Sequence, residues 1–246
     1  MGAVQAQLRI WARNLSHCFD DGTRITCSDF ALEAGQVGFV RGPSGSGKST
    51  LIHLLAGVLT PATATPPGGS AAELKLATVD LLKASRRCRR RLRPLPVGWL
   101  PQRPVLQGQL SVLDNVLLPS LFAPSDRRTG SLVPRAKALL EALGLGADAA
   151  RRASALSVGQ AARVCLARAL VLEPPVLLLD EPTAALDAQS AEAARRLVEA
   201  ELERGATVLV AAHETSWQAS WQDRAPVLIE ARAERSHRRL DPLAAR

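Results

Sequence analysis

The 246-residue chain has no long apolar run: Val176 to Leu179 and Val208 to Ala212 are a few residues each, whereas a membrane-crossing helix needs about 20. No bilayer-spanning helix is predicted. Met1 to Arg13 lacks the continuous apolar core of a secretory signal, which points to a cytoplasmic location. Paired cysteines are missing as well. Cys18, Cys27, Cys88 and Cys165 are far apart, with no C-x-x-C and no histidine arranged to complete a zinc site, so free, reduced thiols are expected. The net charge of +8 is confined, since Lys83, Arg86, Arg87, Arg89, Arg90, Arg91 and Arg93 form one acid-free stretch carrying seven of those charges. No aromatic residue is interleaved there to stack on bases. A solvated or partner-facing helix is the better reading of that stretch, and no nucleic-acid partner is expected. Heptads and internal repeats are also absent.

What remains is a chain long enough, and apolar enough at 47%, for one well-cored domain spanning 1–246. Leu8 to Arg13 and Arg24 to Leu32 read as short strands around the turn Asp20-Asp21-Gly22, an antiparallel element at the start. Val37 to Val40 is a compact apolar run suited to a buried parallel strand, and a helix from Ser49 to Leu59 follows it. Thr60 to Ala72, rich in Pro, Thr, Ala and Gly, reads as a surface loop. Val97 to Leu100, Val176 to Asp180 and Thr207 to Ala212 are further strands. Helices are expected at Ser111 to Leu118, Pro134 to Leu145, Val158 to about Val171 (capped by Ser157) and Ala188 to Arg204. With no strand signal in the middle third, residues 103–172 should form a helical lobe. Beyond Trp221 the pattern is weak.

Between the first buried strand and its helix stands Gly42-Pro43-Ser44-Gly45-Ser46-Gly47-Lys48-Ser49-Thr50. This is a complete phosphate-binding P-loop in its required strand-to-helix setting. Glycines let phosphate oxygens approach backbone N–H groups at the positive end of a helix dipole. Lys48 would reach the β- and γ-phosphates, and Ser49 would be a ligand of Mg²⁺. A second motif, Val176 to Glu181, ends a buried strand with Asp180 and Glu181. Asp180 can hold Mg²⁺ through water and Glu181 can polarise an attacking water molecule.

With those motifs, Leu156-Ser157-Val158-Gly159-Gln160 resembles the signature of ATP-binding cassette (ABC) ATPases, usually Leu-Ser-Gly-Gly-Gln. The resemblance implies an α/β fold with a parallel core sheet, an N-terminal antiparallel β element and an inserted helical lobe. It also implies ATP and Mg²⁺ as cofactors, and a γ-phosphate contact from Ser157, Gly159 and Gln160 to ATP held by the P-loop of a second cassette. Gln102 looks like the family's glutamine that joins body to lobe and senses Mg²⁺ and water. Asp187 resembles the residue that communicates across the dimer, and His213 the switch histidine at the γ-phosphate. The family's adenine-stacking tyrosine has no counterpart, as the chain contains no tyrosine. Phe19 is the candidate in its place, with a core role as the competing reading. Val158 replaces the first signature glycine, and Ala161 and Ala162 replace polar residues that usually follow, which implies tuned activity.

The resemblance leaves transport, DNA maintenance and translation control open. No coiled-coil insert separates the P-loop from the acidic motif, and there is a single set of motifs, so a separate permease in the membrane is the simplest missing part. The partners implied are a second copy or another cassette, and permease subunits. Gln109 to Pro119 looks like the lipoprotein-releasing, macrolide-efflux and cell-division branch. A nucleotide-dependent scaffold with very slow hydrolysis is the alternative.

Overall fold

The structure, a computed structural model, describes residues 8–59, 72–76, 79–83, 97–122, 129–212, 217 and 221–235. His213, residues 60–71 of the loop expected after Leu59, and the basic stretch beyond Lys83 lie outside the described residues.

The N-terminal segment divides between two sheets. β1 (Leu8–Arg13) and β2 (Ser16–Cys18) are separated at Asn14, which takes a left-handed φ of +47°. The strand expected from Arg24 to Leu32 is in fact two, β3 (Thr23–Cys27) and β4 (Phe30–Glu33), broken at Ser28 and Asp29. The two breaks lie side by side, because the Asn14 N–H donates to Asp29 Oδ1 at 2.7 Å. Alternation along the chain cannot register this change of sheet, since both halves remain strand-like. β2 and β3 form an antiparallel hairpin, while β1 pairs with β4. On its other edge β1 pairs with β6 (Glu73–Leu76), which in turn pairs with β7 (Val79–Asp80), giving an antiparallel sheet in the order β4-β1-β6-β7. β6 and β7 were not expected from sequence, being only four and two residues long.

The larger sheet has the order β2-β3-β11-β5-β10-β9-β8. Its parallel members are β5 (Val37–Arg41), β8 (Val97–Leu100), β9 (Val176–Asp180), β10 (Thr207–Ala211) and the first half of β11 (Val227–Arg235). β11 occupies the region where the pattern was weak. It runs parallel to β5 over Val227 to Glu230, then antiparallel to β3 over Ala231 to Arg235. A strand that changes partner halfway, and whose second half offers only alanines among its apolar residues, has little periodicity to read.

The parallel strands are apolar on both faces because both faces are covered. Phe39, Leu177, Leu179, Val208 and Val210 belong to a core shared with the helices on one side. Val40, Val176, Leu178, Leu209 and Ile229 belong to a second core with the antiparallel sheet and helix α1 (Lys48–Leu55). α1 stops short of the expected Leu59, as Gly57 turns left-handed at φ +71° just after the Ala56 cap.

The middle of the chain is helical where it is described. It holds α2 (Val112–Leu117), α3 (Thr129–Ala142) and α4 (Val158–Leu170), and α5 (Ala188–Glu203) follows β9. α3 starts five residues before Pro134, the expected start, so the proline sits inside the helix. α3 is tied to the body by Arg135. Its guanidinium binds Glu201 of α5 at 2.7 Å, Glu173 at 3.1 Å and the Leu170 carbonyl at 3.2 Å.

Candidate nucleotide site

The ends of the parallel strands bring the separate motifs together. The pairings Val210–Phe39, Ala211–Val40 and Ala211–Asp180 set the ends of β5, β10 and β9 at one level. Gly42 follows the first, Asp180 ends the third, and Gln102 lies two residues beyond the end of β8, exposed. Crevices at the carboxyl ends of such strands are where α/β sheets bind ligands.

The loop from Gly42 to Gly47 turns back on itself through three positive φ angles, +149° at Gly42, +77° at Gly45 and +98° at Gly47. A Cβ on Gly42 would press on Ser46 and lie 2.6 Å from the Ala231 carbonyl, and one on Gly47 would run into Ile25 of β3. Pro43, Ser44 and Gly45 are exposed, Thr50 is half-buried, and Ser46 is buried with its hydroxyl unpartnered among the described residues. Lys48 is 6% exposed, and its Nζ donates to the Gly42 and Pro43 carbonyls at 3.0 and 3.1 Å, so the ammonium is held inside the loop. Burial lowers its pKa, opposed by the nearby Glu181 and Asp180 charges. Gly42→Ala is expected to cost about 2 kcal/mol of stability, because the loop must shift away from a fixed backbone oxygen. Thermal unfolding and nucleotide titration of the variant check this; an unchanged melting temperature with full affinity contradicts it.

Across 131 residues of sequence, the Ser49 hydroxyl donates to Asp180 Oδ1 at 3.0 Å. Asp180 is 1% exposed, and its Oδ2 has no hydrogen-bond partner among the described residues. Burial raises the Asp180 pKa, more than the Ser49 hydrogen bond and the His53 and Lys48 charges lower it. A buried carboxylate with one oxygen orphaned beside a hydroxyl is costly unless a cation is near. These residues therefore fit Mg²⁺. Glu181 follows at a left-handed φ of +49°, with its N–H bonded to the Ala211 carbonyl at 2.7 Å. Such backbone strain in a non-glycine residue collects at functional sites, and here it directs Glu181 off the line of β9. His53 is a neighbour of Asp180 that sequence reasoning missed; only its place on α1 at helical spacing from Ser49 could have suggested it.

The hairpin β2–β3 flanks this loop through Ile25. Phe19 sits at its turn, with its N–H on the Thr23 carbonyl at 2.9 Å, its ring edge-on to His17 at 4.7 Å and 37% of the residue exposed. The core reading of Phe19 is thereby excluded, and its ring is left exposed on the hairpin whose Ile25 packs against Gly47.

Ser157 caps α4 as expected and does so reciprocally. Its Oγ accepts from the Gln160 N–H at 3.3 Å, and Gln160 Oε1 accepts from the Ser157 N–H at 3.0 Å. The Gln160 side chain also reaches Asp148 at 3.4 Å. Gly159 lies so close to the segment before α5 that an added Cβ would be 2.9 Å from the Ala185 carbonyl. Asp187 caps α5 by accepting from the Ser190 N–H at 2.7 Å, which holds its carboxyl below the usual range. Ser157, Gly159 and Asp187 thus form a second cluster on elements separate from the P-loop. Val158, beside them, is 67% exposed.

A P-loop whose Ser49 bonds a buried Asp180, with a carboxylate on strained backbone beyond it, on a sheet of this order, defines a P-loop nucleotide hydrolase. Residues 26–184 match the family described as ABC transporter. The chain is 37% identical over 216 residues to the lipoprotein-releasing system ATP-binding protein LolD of Hydrogenovibrio crunogenus, covering 85% of this chain and 89% of that one. It is 40% identical over 174 residues to the phosphonates import ATP-binding protein PhnC of Chromohalobacter salexigens, covering 68% and 61%. A dimeric ATP-binding cassette solved in a post-hydrolysis state with ADP and phosphate superposes with a TM-score of 0.70 at 25% identity, covering 85% and 89%. The chain belongs to the ABC transporter family, as its ATP-binding and ATP-hydrolysing, Mg²⁺-dependent subunit.

Proposed function

We propose that the chain works as half of an ATP-closed pair, in which each P-loop is completed by the signature segment of the other chain. The Ser49–Asp180 bond, with its orphaned carboxylate oxygen, carries this reading. Gly42 to Thr50 wrap the phosphates, with backbone N–H groups from every residue of the loop except Pro43, which has none, and Lys48 leaves its loop carbonyls for the β- and γ-phosphates. Ser49, Asp180 and Gln102 would hold Mg²⁺, which would supply positive charge against the phosphate oxygens.

Glu181 takes a proton from the attacking water as its oxygen bonds to the γ-phosphorus and the bond to the bridging oxygen of ADP breaks. Gln102 and His213 orient that water and the γ-phosphate, and Phe19 stacks on adenine. From the second chain, Ser157, Gly159 and Gln160 face the γ-phosphate, and Asp187 links the two sites. Residues 1–246 form one domain, with 103–172 as its lobe. The pair docks on permease subunits at the cytoplasmic face of the inner (plasma) membrane. Among the described residues no helix is long and apolar enough to cross a membrane. The LolD relatives favour mechanical extraction or efflux of an envelope substrate.

Complementation tests the shared site. A Lys48→Ala chain lacks its own P-loop function, and a Ser157→Arg chain lacks a usable signature, so each alone is inactive. Mixed, they rebuild one intact site per heterodimer, and up to about a quarter of the wild-type rate returns. Failure of any activity to return contradicts the shared site.

A further inference from the structure

The loop carrying Gln102 leaves β8 at Leu100 and enters α2 at Val112, and the lobe grips its backbone at two places. The Val105 carbonyl accepts from Arg168 Nη1 at 2.8 Å and from the Cys165 thiol at 3.8 Å, while Arg168 Nη2 lies 3.5 Å from the same sulfur. Both side chains come from adjacent turns of α4. Two residues further on, Asn115 of α2 engages both polar groups of Gln107: its Oδ1 accepts from the N–H at 2.8 Å, and its Nδ2 donates to the carbonyl at 3.0 Å. The other Nδ2 hydrogen goes to the Ser111 carbonyl at 2.9 Å. Asn115 is fully buried, so a half-paired amide there would be expensive and the set holds or breaks together.

On the body side the loop is anchored by Leu100, 4% exposed in the core. Between the anchors stand only Pro101, Gln102, Arg103 and Pro104, and the two prolines restrict the backbone further. Gln102 therefore hangs from a four-residue bridge whose far end is set by α4 and α2. α4 begins at Ser157, and Arg168 lies about 16 Å along the same helix.

We propose that Arg168 and Asn115 are positioning residues for Gln102: they fix the backbone of Val105 and Gln107 to the lobe, so that one rigid helix both presents the signature and sets where Gln102 stands. This rests on the role given to Gln102 above. Engagement of Ser157 by nucleotide then reaches Gln102 through α4, without passing through the core sheet.

A double-mutant cycle on the full chain with Mg²⁺ and ATP tests it. Arg168→Met removes the grip on Val105 and lowers kcat on the order of tenfold, with KM for ATP within about twofold of wild type. Arg168→Lys, which keeps a donor of similar reach, restores most of the rate. In a Gln102→Ala background Arg168→Met has no further effect, because the residue it positions is gone. Asn115→Asp gives the same non-additivity, and hydrogen exchange at 105–107 rises in both variants while the rest of the lobe keeps its protection. If Arg168→Met lowers kcat by the same factor with and without Gln102, the arginine acts through the fold and the proposal is overturned. If Gln102→Ala alone leaves kcat intact, the role of Gln102 itself is overturned and the positioning role falls with it.

Discussion

Glu181→Gln lowers ATP turnover by on the order of 10²–10⁴-fold, the scale of a lost general base, while ATP binding survives and a stable ATP-bound dimer accumulates. The backbone explains why the substitution isolates chemistry from binding. Glu181 owes its position to a left-handed φ and to its N–H on the Ala211 carbonyl, neither of which depends on the side-chain charge. Glutamine is the same size, so the P-loop, Ser49 and Asp180 keep their places. Size-exclusion chromatography with and without ATP, beside a phosphate-release assay, reads both halves of the result. A wild-type chain that already forms the long-lived dimer and hydrolyses no faster than the variant would turn the reading towards a nucleotide-dependent scaffold. No observation favours that reading at present.

Asp180→Asn separates stability from activity in the opposite sense. The wild-type carboxylate is buried, with one oxygen unpartnered among the described residues, and burial raises its pKa. A raised folded-state pKa means that the folded protein holds a proton where the unfolded chain has released it. The stabilising contribution is therefore complete below the unfolded value and is lost as pH rises through the raised folded value. At neutral pH Asp180 is a net cost to the fold. Without nucleotide or Mg²⁺, Asp180→Asn should gain about 1 kcal/mol, a rise of roughly 2–4 °C in melting temperature. The gain shrinks towards zero in acid, where the wild-type group is itself protonated. Turnover collapses by at least about 100-fold, because an amide oxygen is a poor substitute for a carboxylate at the ion. Melting curves across pH would contradict this account if the variant were less stable than wild type at neutral pH, or if its gain persisted unchanged in acid.

Much of the site could be read from the chain because its parts are local. The glycines at 42, 45 and 47, with Lys48 and Ser49 at fixed offsets, state a phosphate loop wherever they occur between strand and helix. Asp180 at the end of five buried residues is equally local. Their meeting is not local: the Ser49–Asp180 bond depends on β10 lying between β5 and β9, and strand order leaves no mark within any one strand. The same holds for the divided N-terminal segment, where the crossing at Asn14 and Asp29 is made by one side chain against a backbone far away in sequence. Phe19 could be proposed only by elimination, and its exposure was needed to set aside the core reading. Asn115 and Arg168 passed unnoticed, since a polar residue on a helix declares its partner only when the loop is in place.

β11 lies beside the P-loop strand over its first half and holds the Phe19 hairpin over its second. Among the described residues it is also the last strand in the order of synthesis. A ribosome can therefore release the P-loop, the acidic pair and the signature helix long before the sheet around the P-loop strand can be completed. Until residues near 230 emerge, one edge of β5 stands open and the hairpin has nothing to lean on. Enclosure of the P-loop strand between its two neighbours therefore waits for residues that emerge well after the loop itself.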